Sequence, residues 1–313
     1  MRAPPLPVLA SAEARAFLAQ PIPEAVFRHA PQSPDEWRAL IDRFNALRAD
    51  AVETLRALLP VRIDTVTISG VPCRVLTPEG APDAPDAPVV VEFHGGAYVL
   101  YAGLSGLGRA LKFALASGLR VIAVDYRMPP AAPYPAALED ALAVYRAVLA
   151  DKPARRVAVY GTSAGGNLAA AMMVAARAEG LAMPAAAVLN TPWMDLTDAG
   201  DSLGLFDGID PALVTYHGLV RAAAALYADG LALDDPRLSP IHADLGGFPP
   251  AQIITGTRDL LLSDATRLHM RLLDLGRESE LRVYEGMWHA FADIPEEAQV
   301  YDAMTRFLRA RLG

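Results

Sequence analysis

Apolar and polar positions along the chain follow two rhythms. From Trp37 to Leu59 apolar residues recur at helical spacing, at Trp37, Leu40, Ile41, Phe44, Leu47, Ala51, Leu55 and Leu58. Pro34-Asp-Glu-Trp37 supplies a helix start, with a proline and acids in the first turn. Residues 1 to about 60 are therefore expected to be helical. After Leu59 the rhythm changes to short apolar runs. Val61 to Ser69 and Val71 to Thr77, parted by Gly70, predict an antiparallel hairpin. Val89–Phe93, Arg120–Tyr126, Val157–Tyr160, Ala185–Asn190, Ala251–Gly256 and Leu281–Glu285 predict further strands. Helical stretches lie between and after them, at Gly106–Ser117, Pro135–Ala150, Leu168–Glu179, Ser263–Leu275 and Pro295–Leu312. Strand and helix in alternation predict an α/β fold.

Two breaks qualify that pattern. Pro78 to Pro88 is a loop rich in proline and acids, too short to separate two domains. Thr191 to about Asp235 is a long interruption, with a helix expected from Pro211 to Tyr227. Interruptions of this size in an α/β sheet are often lids. The helix at 34–59 carries no catalytic signal; it suits either plain packing on the main body or part of a lid. No internal repeat is evident.

Composition narrows the class. A chain of 313 residues accommodates one large α/β domain with insertions, or two domains. With 53% hydrophobic and 20% charged residues it fits a soluble globular protein. A net charge of −8 argues against nucleic acid and anionic membrane surfaces as partners. Cys73 is the only cysteine, so no internal disulfide is needed. The N-terminus has too many prolines for a signal peptide. Val157 to Ala176 is uncharged over roughly the length of a membrane span. Gly161-Thr-Ser-Ala-Gly-Gly-Asn167 in its middle makes it a buried strand–turn–helix instead. No membrane span and a cytoplasmic location are the resulting expectations.

That same stretch carries the candidate chemistry. Gly161-Thr-Ser-Ala-Gly165 spells G-x-S-x-G between a strand and a helix, the context of a nucleophile elbow. The turn must hold Ser163 in a strained conformation, and glycines on either side avoid clashes. Taken alone, the pattern also fits a plain glycine-rich turn. Upstream, strand Val89–Phe93 runs into His94-Gly-Gly-Ala-Tyr98, where paired glycines let the backbone approach a ligand. His94 there suits bracing of the loop.

An activated serine needs a base, and the base needs an orienting carboxylate. Asp259 follows a later strand and His289 the last one, in the chain order Ser, Asp, His. None of His29, His217, His242 or His269 follows a strand in that order. Asp264 is the rival acid, and Asp293 stands too close to His289 in sequence. Arg127, Glu139 and Asp140 suit a supporting ion-pair network. Trp193, Met194, Leu205, Phe206 and Tyr216 suit an acyl pocket or ordinary packing.

In combination these residues resemble the hormone-sensitive-lipase-like (bacterial family IV) esterases of the α/β-hydrolase superfamily. The resemblance rests on His94-Gly-Gly, Asp125-Tyr-Arg, Tyr134-Pro-Ala-Ala-Leu-Glu-Asp140, Gly161 to Asn167, Ser239-Pro240, Asp259 and His289-Ala-Phe291. It implies an eight-stranded, mostly parallel sheet flanked by helices. It also implies a cap built from the N-terminal segment 1–60 and an insertion at about 191–235 on the catalytic domain 61–313. Catalytic Ser163, Asp259 and His289 are expected, with oxyanion-hole N–H groups from Gly95, Gly96 and Ala164. Tyr98, Trp193 and Phe206 are expected at the substrate pocket. No cofactor and no metal are implied. Relatives are often dimers, although the sequence points to no interface. Two departures stand out: Ala97 replaces the usual third glycine of the oxyanion loop, and Thr162 precedes the serine where many members carry Asp.

The expected activity is hydrolysis of short- to medium-chain carboxylic esters through an acyl-enzyme. A lactone hydrolase with the same triad remains open. So does a small-molecule receptor on the same fold, although such receptors lack the histidine that stands here as His289.

Overall fold

The computed structural model describes residues 4–22, 27–82 and 84–312. Eight strands form one sheet: β1 (Val61–Ile68), β2 (Val71–Pro78), β3 (Val89–Phe93), β4 (Arg120–Val124), β5 (Val157–Thr162), β6 (Ala186–Asn190), β7 (Ala251–Gly256) and β8 (Ser279–Tyr284). Their spatial order is β1-β2-β4-β3-β5-β6-β7-β8. The β1–β2 hairpin is antiparallel, and β2 also runs antiparallel to β4. All other pairs are parallel. Every residue of β3, β5, β6 and β7 is buried. These strands are mostly apolar along their whole length because helices cover both faces of the sheet.

Nine helices are described: α1 (Ala12–Leu18), α2 (Pro34–Leu58), α3 (Gly108–Ser117), α4 (Ala136–Asp151), α5 (Ala164–Ala178), α6 (Asp201–Leu205), α7 (Arg221–Ala228), α8 (Leu262–Asp274) and α9 (Pro295–Leu312). Buried residues of α4, α5 and α8 form one core with one face of the sheet. Those of α3 and α9 form a second core on the other face. A third, smaller cluster joins Trp37 of α2 to Val99, Leu100, Leu219 and Ala223. It lies where the chain leaves β3 and where the interruption after β6 returns.

Most expected elements are present with shifted ends. The expected strand Arg120–Tyr126 stops at Val124 because Asp125 turns away to hold Arg74, at 3.1 Å, and the backbone N–H of Gly103. The last strand starts earlier than expected, at Ser279, and ends at Tyr284. The helix after β5 starts at Ala164, directly after the serine, as the strand–turn–helix context requires. The N-terminal segment is helical at α1 and α2, with residues 1–3 and 23–26 outside the described residues. Leu47 and Leu58 of the expected apolar stripe are exposed on α2.

The expected helix from Pro211 to Tyr227 is the main correction. Its first half is instead a loop, then a distorted turn at Tyr216–Val220, and only Arg221–Ala228 is α-helical. Asp210 caps only a single turn: its Oδ1 accepts hydrogen bonds from the N–H groups of Ala212 and Leu213, at 2.8 and 3.3 Å, and its carbonyl accepts from Val214. Val214 takes a positive φ of 62°, and Gly218 leaves helical geometry at φ −124°, ψ −119°. A side chain at Gly218 would stand 2.0 Å from the carbonyl oxygen of Phe27, so the backbone bends there against the N-terminal segment.

Among the described residues, no helix is long and apolar enough to cross a membrane.

Candidate active site

Ser163 sits between β5 and α5 with φ 57° and ψ −122°. Such a conformation costs a non-glycine residue on the order of 1–3 kcal/mol, so the surroundings must hold it. They do so through the backbone. The Ser163 N–H donates to Asn190 O at 3.0 Å, and its carbonyl accepts from Gly166, Asn167 and Trp193. The flanking glycines are required by contact. A Cβ at Gly165 would lie 2.0 Å from Phe93 O, and one at Gly161 would lie 2.2 Å from Gly165 O.

His289 follows β8, and its Nε2 stands 2.9 Å from Ser163 Oγ. Its Nδ1 stands 3.0 Å from Asp259 Oδ1. Asp259 is fully buried after β7, where it also accepts from Thr255 Oγ1 at 2.8 Å and from the Leu261 N–H at 2.9 Å. A carboxylate accepting at Nδ1 leaves that nitrogen protonated and Nε2 free to accept the serine proton. The structure thus brings together the three side chains that the chain order pairs.

The rival groups lie elsewhere. Asp264 is buried, but its Oδ2 accepts from the N–H groups of Met194 and Asp195, at 2.7 and 3.0 Å, and its Oδ1 binds Arg267. Asp293 pairs with Lys112 at 2.5 Å. His269 faces Ser279 and His242 faces Asp195. The thiol of buried Cys73 is pushed up to about 12 by desolvation, which leaves it inert. Arg127 binds both Glu139 and Asp140, the expected network.

The loop after β3 runs beside the serine. A Cβ at Gly95 would fall 2.9 Å from Thr162 O and 3.3 Å from Ser163 Cβ. Gly96 has φ 116°, and a Cβ there would fall 2.3 Å from Leu100 O. Ala97 and Tyr98 continue with φ 53° and 63°. The N–H groups of Val99 and Leu100 donate back to Gly96 O and close the turn. His94 lies against the Tyr126 ring, with centroids 4.4 Å apart, and its Nδ1 meets Gly95 O at 2.7 Å. Tyr98 donates its hydroxyl to Asn167 Oδ1 at 2.7 Å and stacks on Tyr227 at 3.7 Å. Asn167 Nδ2 in turn donates to Trp193 O and Leu238 O.

A cavity of about 250 Å³ opens on Ser163 and His289. Gly95, Gly96 and Ala97 form one wall, and Trp193, Leu213 and Leu219 part of another. Of the three expected pocket residues, Trp193 lines it and Tyr98 and Phe206 do not. Tyr98 is drawn off by Asn167 and Tyr227, and Phe206 packs against the core of the α5 face. Met194 and Tyr216 are likewise absent from the lining; Tyr216 donates to Leu196 O, and Leu205 points outward.

Nothing in the sequence pattern singled out two buried carboxyls at this site. Asp210 Oδ2 accepts from the Leu260 N–H at 2.8 Å and the His289 N–H at 3.3 Å. Burial pushes its carboxyl up to about 6 against the pull of His289. Glu92 on β3 lines the cavity, and burial pushes it up to about 8 although Arg109 draws it down. For Glu92 the one signal is a lone acid inside an apolar run; Asp210 carries none. Among the described residues no group of three or more His, Cys, Asp or Glu side chains gathers as a metal site.

Residues 90–293 match the profile of an alpha/beta hydrolase fold family. An acetyl-hydrolase of Streptomyces hygroscopicus is 36% identical over 239 residues, 74% of this chain and 79% of that protein. The crystal structure of esterase E25 superposes with a TM-score of 0.95 at 36% identity, covering 100% of this chain and 98% of that one. An esterase of the bacterial hormone-sensitive lipase family superposes with a TM-score of 0.80 at 31% identity, covering 90% of this chain and 100% of that one.

Proposed function

The chain belongs to the alpha/beta hydrolase fold family, among the hormone-sensitive-lipase-like esterases, and is a carboxylic ester hydrolase; from that premise we propose that it acts through an acyl-enzyme on Ser163. The observation that carries this reading is the 2.9 Å and 3.0 Å relay from Ser163 through His289 to Asp259.

His289 Nε2 takes the Ser163 proton as Oγ attacks the acyl carbon. The carbonyl oxygen turns towards the N–H groups of Gly95, Gly96 and Ala164, each contributing about 3 kcal/mol as charge develops. Ala164 opens α5, so the helix N-terminus adds its partial positive charge. His289 then hands the proton to the departing alkoxide, and the alcohol leaves. Water attacks the acyl-enzyme with His289 as base and releases the acid. Asp259 holds the imidazole in one tautomer and stabilises the imidazolium.

The segment about α2 and the interruption at 191–235 act as a cap. Support comes from the shared cluster of Trp37, Leu219 and Ala223, and from Phe27, Arg48, Leu219 and Val220 in the cavity lining. Short acyl chains are the preferred substrates. A cavity of about 250 Å³ is small beside the roughly 300–1,000 Å³ of sites for drug-sized ligands. The acetyl-hydrolase relative agrees with that size.

A fluorophosphonate probe tests the nucleophile. One adduct per chain at Ser163, accumulating as activity falls, is expected. Inactivation with the adduct on another residue would refute the assignment.

A further inference from the structure

The oxyanion loop is braced by a histidine whose outer nitrogen lacks a protein partner. His94 Nδ1 meets Gly95 O at 2.7 Å, and a carbonyl can only accept, so Nδ1 carries the hydrogen. Nε2 is then an acceptor. It is buried and has no hydrogen-bond partner among protein atoms. The ring plane is held by its neighbours. Tyr126 stacks on it at an interplanar angle of 14°, and Gly106 lies against it so closely that a Cβ there would stand 3.0 Å from the His94 Cγ.

Glu92 can offer what Nε2 lacks. Glu92 stands two positions earlier on β3, hence on the same side of the strand. It is 1% exposed, and its Oε1 has no protein partner either. Glu92 and His94 both line a small cavity of about 10 Å³, bounded also by Gly103, Gly106 and the Arg74–Asp125 pair, in which Arg74 donates to Asp125 at 3.1 Å. That volume is near the lower limit for one water molecule. A carboxyl buried this completely is cheaper protonated than charged even though the Arg109 charge draws it down, and as an acid it can donate. Burial and the upward shift to about 8 agree. Two orphaned groups, one an acceptor and one able to donate, thus face one cavity beneath the loop that carries the oxyanion donors.

We propose that Glu92 is a positioning residue for the oxyanion hole, linked to His94 Nε2 across this cavity by a hydrogen-bonded connection at most one water long. Through Nδ1 the link fixes the Gly95 carbonyl, and with it the plane of the Gly95–Gly96 peptide whose N–H faces the oxyanion. Glu92 touches no reacting atom and exchanges no proton in the cycle. The inference rests on the acyl-enzyme reading above and names what holds its electrostatic part in place.

The test compares Glu92→Met and Glu92→Gln on p-nitrophenyl butyrate, beside Ser163→Ala. Met keeps the volume and removes both donor and acceptor; Gln keeps a neutral donor. For Met, kcat is expected to fall about 10-fold or more with KM within about twofold, since the transition state alone uses the hole. For Gln, kcat is expected within about threefold of wild type. A Met variant with wild-type kcat, or a Gln variant as slow as Met, overturns the proposal. If Ser163→Ala stays active, the acyl-enzyme reading itself falls, which is a separate result. A high-resolution crystal structure of the wild type supplies the second check. It should show Glu92 joined to His94 directly or by one water. A Glu92 carboxyl bound to another partner contradicts the link, and this decides the matter if the Met variant melts below assay temperature.

Discussion

Asp210 shows how much a single buried side chain does here. Its two oxygens accept from the N–H groups of Ala212, Leu213, Leu260 and His289, so it joins the interruption to the loops that carry both Asp259 and His289. Asp210→Ala orphans these donors at roughly 1–3 kcal/mol for each one left buried. The melting temperature is expected to drop by several degrees. kcat should fall about 10- to 100-fold as His289 loses its fixed distance to Ser163. Differential scanning fluorimetry and steady-state kinetics read both effects, and an unchanged kcat would show that the His289 loop holds without Asp210. The main Ser163, Asp259 and His289 positions were legible because each follows a strand and their chain order is constrained. Asp210 and Glu92 were not, because neither sits in a motif: one lies in an irregular loop and the other inside an apolar strand. Their importance arises from burial and from partners distant in sequence, which no local pattern records.

At the scale of elements, the buried parallel strands were the easiest to read. Short apolar runs such as Val157–Tyr160 and Val89–Val91 leave little choice of structure. Ends were less legible, because side chains decide them: Asp125 leaves β4 for Arg74 and Gly103. The segment 211–227 misled for a related reason. Its composition favours a helix, yet Val214 takes a positive φ and Gly218 bends the backbone against Phe27, so only Arg221–Ala228 is α-helical. Tyr98 and Phe206 were misplaced because aromatic residues near a motif do not reveal which way they face. Tyr98 instead ties the oxyanion loop to α5 through Asn167 and to α7 through Tyr227. That tie couples the loop beside Ser163 to the segment we assign to the cap.

For the molecule as a whole, three buried carboxyls set how stability varies with pH. Burial raises Glu92 to about 8, Asp264 to about 7 and Asp210 to about 6, against the opposing pull of Arg109, Arg267 and His289 respectively. An unfolded chain releases these protons near pH 4. Between about pH 4 and 8 the folded state therefore holds more protons, and stability falls as pH rises through that window. Carboxyls lowered by partners, such as Asp195 and Asp235, act in the opposite direction at lower pH. The melting temperature is expected to decline from pH 5 to 8, and less steeply in Glu92→Gln. A melting temperature that rises over this range, or a Gln variant with the wild-type slope, would contradict this.

The convergence of Ser163, His289 and Asp259 carries everything else, and steady-state hydrolysis of p-nitrophenyl butyrate by Ser163→Ala probes it without intermediaries. Loss of the nucleophile should lower kcat by at least about 10⁴-fold while the variant melts as the wild type does. A folded Ser163→Ala variant that turns over at the wild-type rate would mean that the ester is cleaved by other groups.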